Sequence, residues 1–266
     1  MSDATYLYCL VRDSAPPSLA GAPPGLPGLP GLTAPRALEV AGGLWLVAAS
    51  APLPEFGGER IEERLADLDW VSACALAHEA VIEHFRDAPA LLPLKLFTLF
   101  ASDERALAHL RERREPLDRV LDRVAGRVEW GVRVRLDEVR AREGLAEETA
   151  ESRQATAPGG SGTSFLLRKK QEQEASRDLA GRLRAEVDAG WDDLAAQADE
   201  AIRRQPAATP EQGGKVFLDA ALLVPAGRAA ELEAAVGRFA SRVGPKGGEV
   251  TLTGPWPPYH FVEEAS

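Results

Sequence analysis

The stretch 127–136 (RVEWGVRVRL) constrains this chain more than any other. Val128, Trp130, Val132, Val134 and Leu136 alternate with Arg127, Glu129, Arg133 and Arg135. That period of two is what a strand needs to bury one face and wet the other, and it predicts a half-exposed strand with Glu129 on the wet side. Leu179, Leu183, Val187, Trp191, Leu194, Ala198 and Ile202 then recur every three or four residues, which predicts one long helix over about 165–205. Roughly 40 residues rising ~1.5 Å each would reach ~60 Å, so the helix must bend near Gly181 or Gly190 or project its first turns as an arm. A short strand near 207–209, a strand over 216–224, a helix carrying Leu232, Val236, Phe239 and Val243, and a strand over 249–252 complete the series. Strand, helix, two strands, helix, strand is the split βαβ order of a ferredoxin-like domain, with an antiparallel sheet covered on one face.

The first half is a different mixture. Strands are expected at 6–11 (YLYCLV), 44–49 (LWLVAA) and 91–100 (LLPLKLFTLF). Between them lie a short helix over 59–68, with Ile61, Leu65 and Leu68 on one face, and a longer helix striped by Val71, Cys74, His78, Val81 and Phe85. Ser102 is placed to cap a further helix, and Pro116 to start the next. Residues 14–35, with glycine every third position over 25–31, read as a surface loop because so few triplets cannot hold a triple helix. The glycine-rich polar stretch around 141–163 reads as a flexible insertion.

The end of the chain is unusual in another way. Over 252–261 (LTGPWPPYHF), three prolines forbid both helix and central strand, yet Trp256, Tyr259 and Phe261 are present. Termini are ordinarily small and polar. A stiff aromatic tail costs little entropy to order and is expected to dock, either on its own chain across a domain seam or on a partner.

This block, with 6–11 and 91–100, resembles the signature segments of the gas vesicle GvpL/GvpF family, in the family's order from start to end. The resemblance implies an unusual N-terminal α+β domain over 1–125, a modified ferredoxin-like domain over 126–252 with a long helix, and a tail at 253–266 that folds back. It implies a non-enzymatic accessory protein that binds the small, very hydrophobic shell protein and keeps it from aggregating or helps the shell nucleate. Other gas vesicle accessory proteins are further implied partners. Leu92, Lys95, Phe97 and Thr98 are the candidate partner-binding residues, with the Leu-Pro-Gly loop as a second candidate surface. The family has arginine at the Lys95 position and glycine at the Phe97 position.

Composition agrees with such a role. Forty-one acidic against 31 basic residues leave a net charge of −10, which disfavours nucleic acid and anionic lipid. Cys9 and Cys74 sit at apolar-patterned positions, as buried thiols in a reducing compartment would. No run approaches the ~20 apolar residues of a membrane helix, and the N-terminus lacks a signal peptide's basic start, so a cytoplasmic protein is expected.

Catalytic and metal chemistry find little purchase. His78 and His84 are six apart, about 240° round a helix, and cannot share a metal. Residues 159–163 (GGSGT) lack the closing glycine of a nucleophile elbow, and Lys215 is not followed by Ser or Thr as in a phosphate loop. No cofactor, metal ligand set or catalytic group is assigned. Lys95 and Asp219 each interrupt an apolar run, which calls for an open edge, an ion pair or a partner. Were they to face a pocket with His78, a ligand-binding regulator or an enzyme on the ferredoxin-like sheet would be the alternative.

Overall fold

A computed structural model describes residues 3–19, 28–137, 163–205 and 215–262. It is a mixed α and β structure with two antiparallel sheets. The chain divides into two compact units, residues 1–129 with 255–266, and residues 130–254.

In the first unit, β1 (Asp3–Arg12) is the central strand. It pairs antiparallel with β3 (Leu44–Pro52) and β4 (Ala90–Pro93), and β2 (Arg36–Ala41) lies outside β3. The β2–β3 hairpin turns on Gly42 and Gly43, both at positive φ, as a two-residue turn of this hand requires. That glycine pair was the available signal for β2, which the sequence reading passed over.

β1 is buried on both faces, hence its unbroken apolar run. A bulge displaces its pairing with β3 between Leu7 and Cys9. Tyr6 before the bulge, Tyr8 in it, and Cys9 and Val11 after it consequently join one core cluster. Helix α1 (Leu53–Phe56), α2 (Gly58–Arg64) and α3 (Leu68–His84) follow β3. Helix α3 contributes Trp70, Cys74, Val81 and Ile82 to that cluster and buries His78 as well, and its first turn is capped by the Asp67 carboxylate, which accepts from the Trp70 N–H at 3.1 Å.

Helices α4 (Asp103–Glu112) and α5 (Arg114–Val124) are tied to the sheet by charge. Asp103 accepts from Thr5 at 2.6 Å and from Arg36 at 2.7 Å, and Arg12 reaches both Asp118 and Asp122.

The second unit carries a sheet in the order β7 (Glu200–Arg203), β8 (Val216–Pro225), β6 (Arg127–Leu136), β9 (Gly248–Trp256). Its helices are α6 (Thr163–Ala195) and α7 (Ala229–Val243). Leu183, Val187 and Leu194 of α6 and Leu232, Phe239 and Val243 of α7 are buried. Gly190 lets these helices approach closely: a Cβ there would stand 2.5 Å from the Phe239 ring.

Three expectations are corrected. The long helix ends at Ala195, and Ile202, counted in its apolar stripe, lies in β7. One apolar residue at the end of a stripe does not separate a helix end from a short strand, and pairing with β8, which sets Ile202 opposite Ala221, decided it. The strand suggested near 207–209 lies outside the described residues. The helix over 59–68 stops at Arg64, leaving Leu65 and Leu68 exposed instead of inward. Leu29, from the loop read as a surface feature, is buried in the core, its N–H donating to the Tyr8 hydroxyl at 3.1 Å.

Asp219 proves to be part of an ion triad inside the second unit. Its carboxylate lies 2.9 Å from Arg133 of β6 and also binds Arg204, just after β7. Only 11% of the Asp219 side chain is exposed. Removing it leaves two guanidiniums facing each other, so Asp219→Ala should cost about 2–4 kcal/mol in chemical denaturation, whereas Asp193→Ala on the exposed end of α6 should cost under about 1 kcal/mol.

Candidate functional site

The segment 91–100 is not one strand. Pro93 has no N–H to continue the ladder, and β4 ends there. Pairing resumes at β5 (Leu99–Phe100), with Leu99 opposite Tyr6. Extending the register that sets Pro93 opposite Cys9 would have put Leu96 there, so three residues are looped out.

The looped-out backbone is held from beneath, atom by atom. The Leu94 N–H donates to the Tyr8 carbonyl at 3.0 Å, and the Leu7 N–H donates to the Thr98 carbonyl at 3.0 Å. The Thr98 hydroxyl donates to the Lys95 carbonyl at 2.7 Å. His78 Nε2 lies 3.0 Å from the Leu94 carbonyl, and its Nδ1 lies 2.7 Å from the Tyr6 hydroxyl. A carbonyl only accepts, so Nε2 carries the proton. Nδ1 of the neutral ring then accepts from Tyr6. The Tyr6 oxygen in turn accepts the Phe97 N–H at 3.4 Å. Burial holds the His78 pKa below 6.5, the opposing hydrogen bond to Leu94 being the weaker influence. Burial likewise raises the Tyr6 hydroxyl far above its usual range and pushes Tyr8 up to about 12. All three rings stay neutral near pH 7 and serve as fixed hydrogen-bonding groups.

Phe97 adopts φ 63°, the left-handed region that favours glycine, and among the described residues no other non-glycine does so. Here the strain is offset by stacking: the Phe97 ring lies 5.3 Å from Trp70 at an interplanar angle of 7°, and the Arg64 guanidinium sits 4.0 Å over the same indole. Lys95 is exposed at the loop tip, Leu96, Phe97 and Thr98 are half-buried, and Leu92 is fully buried in β4.

The tail belongs to the same compact unit. Trp256 is 42% exposed, Phe261 is buried, and Tyr259 packs against the core cluster that holds Tyr6 and Tyr8. The Tyr259 hydroxyl donates to Glu79 at 2.6 Å. Burial, and then the Glu79 carboxylate, raise its pKa far above the ordinary tyrosine value. Glu129, expected on the wet face of its strand, is buried: it accepts the His260 N–H at 2.9 Å and lies 2.5 Å from His260 Nδ1. Sequence reasoning missed this pair because the period-two pattern assigns Glu129 to solvent, while its partner lies 131 residues away.

Two solved structures share this arrangement of elements. The crystal structure of the gas vesicle protein GvpF from Anabaena sp. PCC7120 aligns with a TM-score of 0.67 at 18% identity, covering 98% of this chain and 97% of that one. GvpF from Microcystis aeruginosa aligns with a TM-score of 0.64 at 16% identity, covering 98% and 99%. At such identities the likeness defines the fold, a mixed α and β architecture with two antiparallel sheets. Sequence carries the rest. The family described as "Gas vesicle synthesis protein GvpL/GvpF" matches residues 4–263. Gas vesicle protein L of Streptomyces sp. (strain CB03234) is 33% identical over 229 residues, 83% of this chain and 80% of that protein. The chain belongs to the GvpL/GvpF family, and its role is in gas vesicle formation.

Two outcomes test the loop. With the folded His78 pKa below its unfolded value, the unfolded state binds more protons, so His78 contributes stability that is complete above pH 6.5 and is lost as pH falls below it. Thermal melts should therefore weaken from pH 7.5 to 5.5, and His78→Gln should flatten that slope. Phe97→Gly should be more stable than Phe97→Ala by about 1 kcal/mol in urea titrations, since both lose the stack and only glycine relieves the backbone. The usual alanine-over-glycine order would disprove the strain.

Proposed function

We propose that this protein is a non-enzymatic assembly factor that binds the hydrophobic gas vesicle shell protein and keeps it from aggregating or assists its nucleation. One observation carries the reading: the Leu94–Thr98 loop is fixed by the core while presenting an exposed cation and apolar surface together. Lys95 is exposed, and Leu96, Phe97 and Thr98 are half-open beside it. A pre-ordered loop spends little entropy on binding, and apolar area next to a charge suits a greasy partner that must be oriented. Leu92 supports this surface from within the core.

His78 favours binding over catalysis. Both its nitrogens are committed to structural hydrogen bonds, which leaves it no proton to exchange with a substrate. The order β7-β8-β6-β9, with a helix after β6 and another after β8, supports a modified ferredoxin-like second domain. Tyr259 and Phe261 act as internal cement for the first domain, with Tyr259 anchored on Glu79, while Trp256 stays exposed. No described helix is long and apolar enough to cross a membrane. The protein would work in the cytoplasm at the growing vesicle, alongside other accessory proteins.

Co-expression of the shell protein with this chain provides the test. Soluble shell protein that co-purifies with the wild type, and is reduced at least fivefold with Lys95→Glu/Phe97→Ser, is the expected result. Shell protein that stays insoluble beside a folded wild-type chain would end the proposal.

A further inference from the structure

Helix α3 has a second side that neither the loop nor the tail uses. Leu68, Ser72, Leu76 and Ala80 form one i, i+4 row, and all four are exposed, as are the flanking Ala73 and Ala75. Leu68 is 76% exposed, Leu76 is 73% exposed, and Leu65 just before the helix is 47% exposed. The opposite side of the helix carries the core residues Cys74, His78, Val81 and Ile82, so α3 is apolar nearly all the way round. Helices of that kind are ordinarily covered on every side. Isolated exposed leucines need no explanation, but two on one row of α3, joined by alanine and serine and preceded by Leu65, form a patch.

Acidic residues outnumber basic ones around the patch. Glu62, Asp67 and Asp69 are exposed at its leading end. The two bases of that segment are already engaged: Arg60 pairs with Glu63 at 2.9 Å, and Arg64 lies over the Trp70 indole. From Leu68 to Glu83 the helix contains no lysine or arginine, and its remaining carboxylates, Glu79 and Glu83, are bound by Tyr259 and Arg86. An apolar row with an acidic rim complements an amphipathic helix with leucine-type residues on one face and lysine or arginine beside them.

We propose that the outer face of α3 is a docking surface for a basic amphipathic helix of a partner protein. The surface lies on a different face from the Lys95 loop, and the inference goes beyond the shell-protein reading, because the partner is defined by its charge and amphipathicity alone. A second copy of this chain is the poorer occupant. It would bring one acidic rim to another and join two bodies that each carry a net charge of −10. An anionic lipid surface fails for the same reason.

The test uses the full-length protein and two fluorescent 18-residue peptides with the same leucine face. One peptide has lysine on its polar side and the other glutamate. Fluorescence anisotropy at low salt should show binding of the lysine peptide and at least tenfold weaker binding of the glutamate peptide. Leu68→Glu/Leu76→Glu should weaken the lysine peptide at least tenfold, and Glu62→Lys/Asp69→Lys should do so comparably. Glu233→Lys/Glu249→Lys, which alters the net charge equally at exposed sites in the other unit, should change it less than twofold. Circular dichroism melts confirm that each variant is folded, and the charge-reversal pair keeps the test open if the leucine pair is not. Equal binding of both peptides, binding of neither, or equal loss in the Glu233/Glu249 control overturns the proposal. So does a wild-type dimer in sedimentation that Leu68→Glu/Leu76→Glu converts to monomer, since the face would then belong to a second copy.

Discussion

Much of the first unit depends on one neutral imidazole. His78 projects from the middle of α3 into the space between the helix and β1, and each of its nitrogens is committed there. Through Nδ1 it fixes Tyr6, and through Tyr6 the amide of Phe97; through Nε2 it fixes the Leu94 carbonyl. Its ring also stacks on Tyr8, 5.5 Å away at 26°, and Tyr8 in turn holds the Leu29 amide. An apolar residue at this position would take away the acceptor of the buried Tyr6 hydroxyl and the donor to the Leu94 carbonyl. A looped-out backbone can therefore lie over a closely packed core without losing its hydrogen bonds.

The next residue extends the arrangement. Glu79 points away from the His78 network and receives the Tyr259 hydroxyl, so consecutive positions on one helix secure the 94–98 loop and the tail. Helix α3 thus has three working sides: core, tail and an open apolar row. The price is an interior that holds several polar groups, each of which needs its partner. The strained Phe97 follows the same logic, because a left-handed phenylalanine persists only where the Trp70 stack over-determines it.

Lys95 and Asp219 show how far an interrupted apolar run can be read. Both break a strand-like pattern, and the pattern alone treats them alike. Asp219 stays in its strand and is neutralised by arginines from β6 and from just beyond β7, since the sheet brings those cations alongside. Lys95 leaves the sheet altogether, because Pro93 ends the ladder two residues earlier. Proline was visible in the sequence, but the three-residue slip that follows it depends on where β1 offers new partners. Glu129 taught the converse lesson: a carboxylate on the expected wet face was buried by a histidine far along the chain.

Local pattern was sufficient wherever one element answers to its own residues. The period of two fixed β6, the stripe through Cys74, His78 and Val81 fixed the buried side of α3, Ser102 capped α4, and the three signature segments carried the family. Tertiary structure decided what local pattern leaves degenerate. It ended α6 at Ala195 and gave Ile202 to a sheet edge, left Leu65 and Leu68 in the open, and paired Glu129 with His260. The physical reason is the same in each case. Hydrophobic spacing specifies that a residue has an apolar neighbour or a wet side, while the identity of that neighbour is set by strand order and by contacts between residues far apart in the chain.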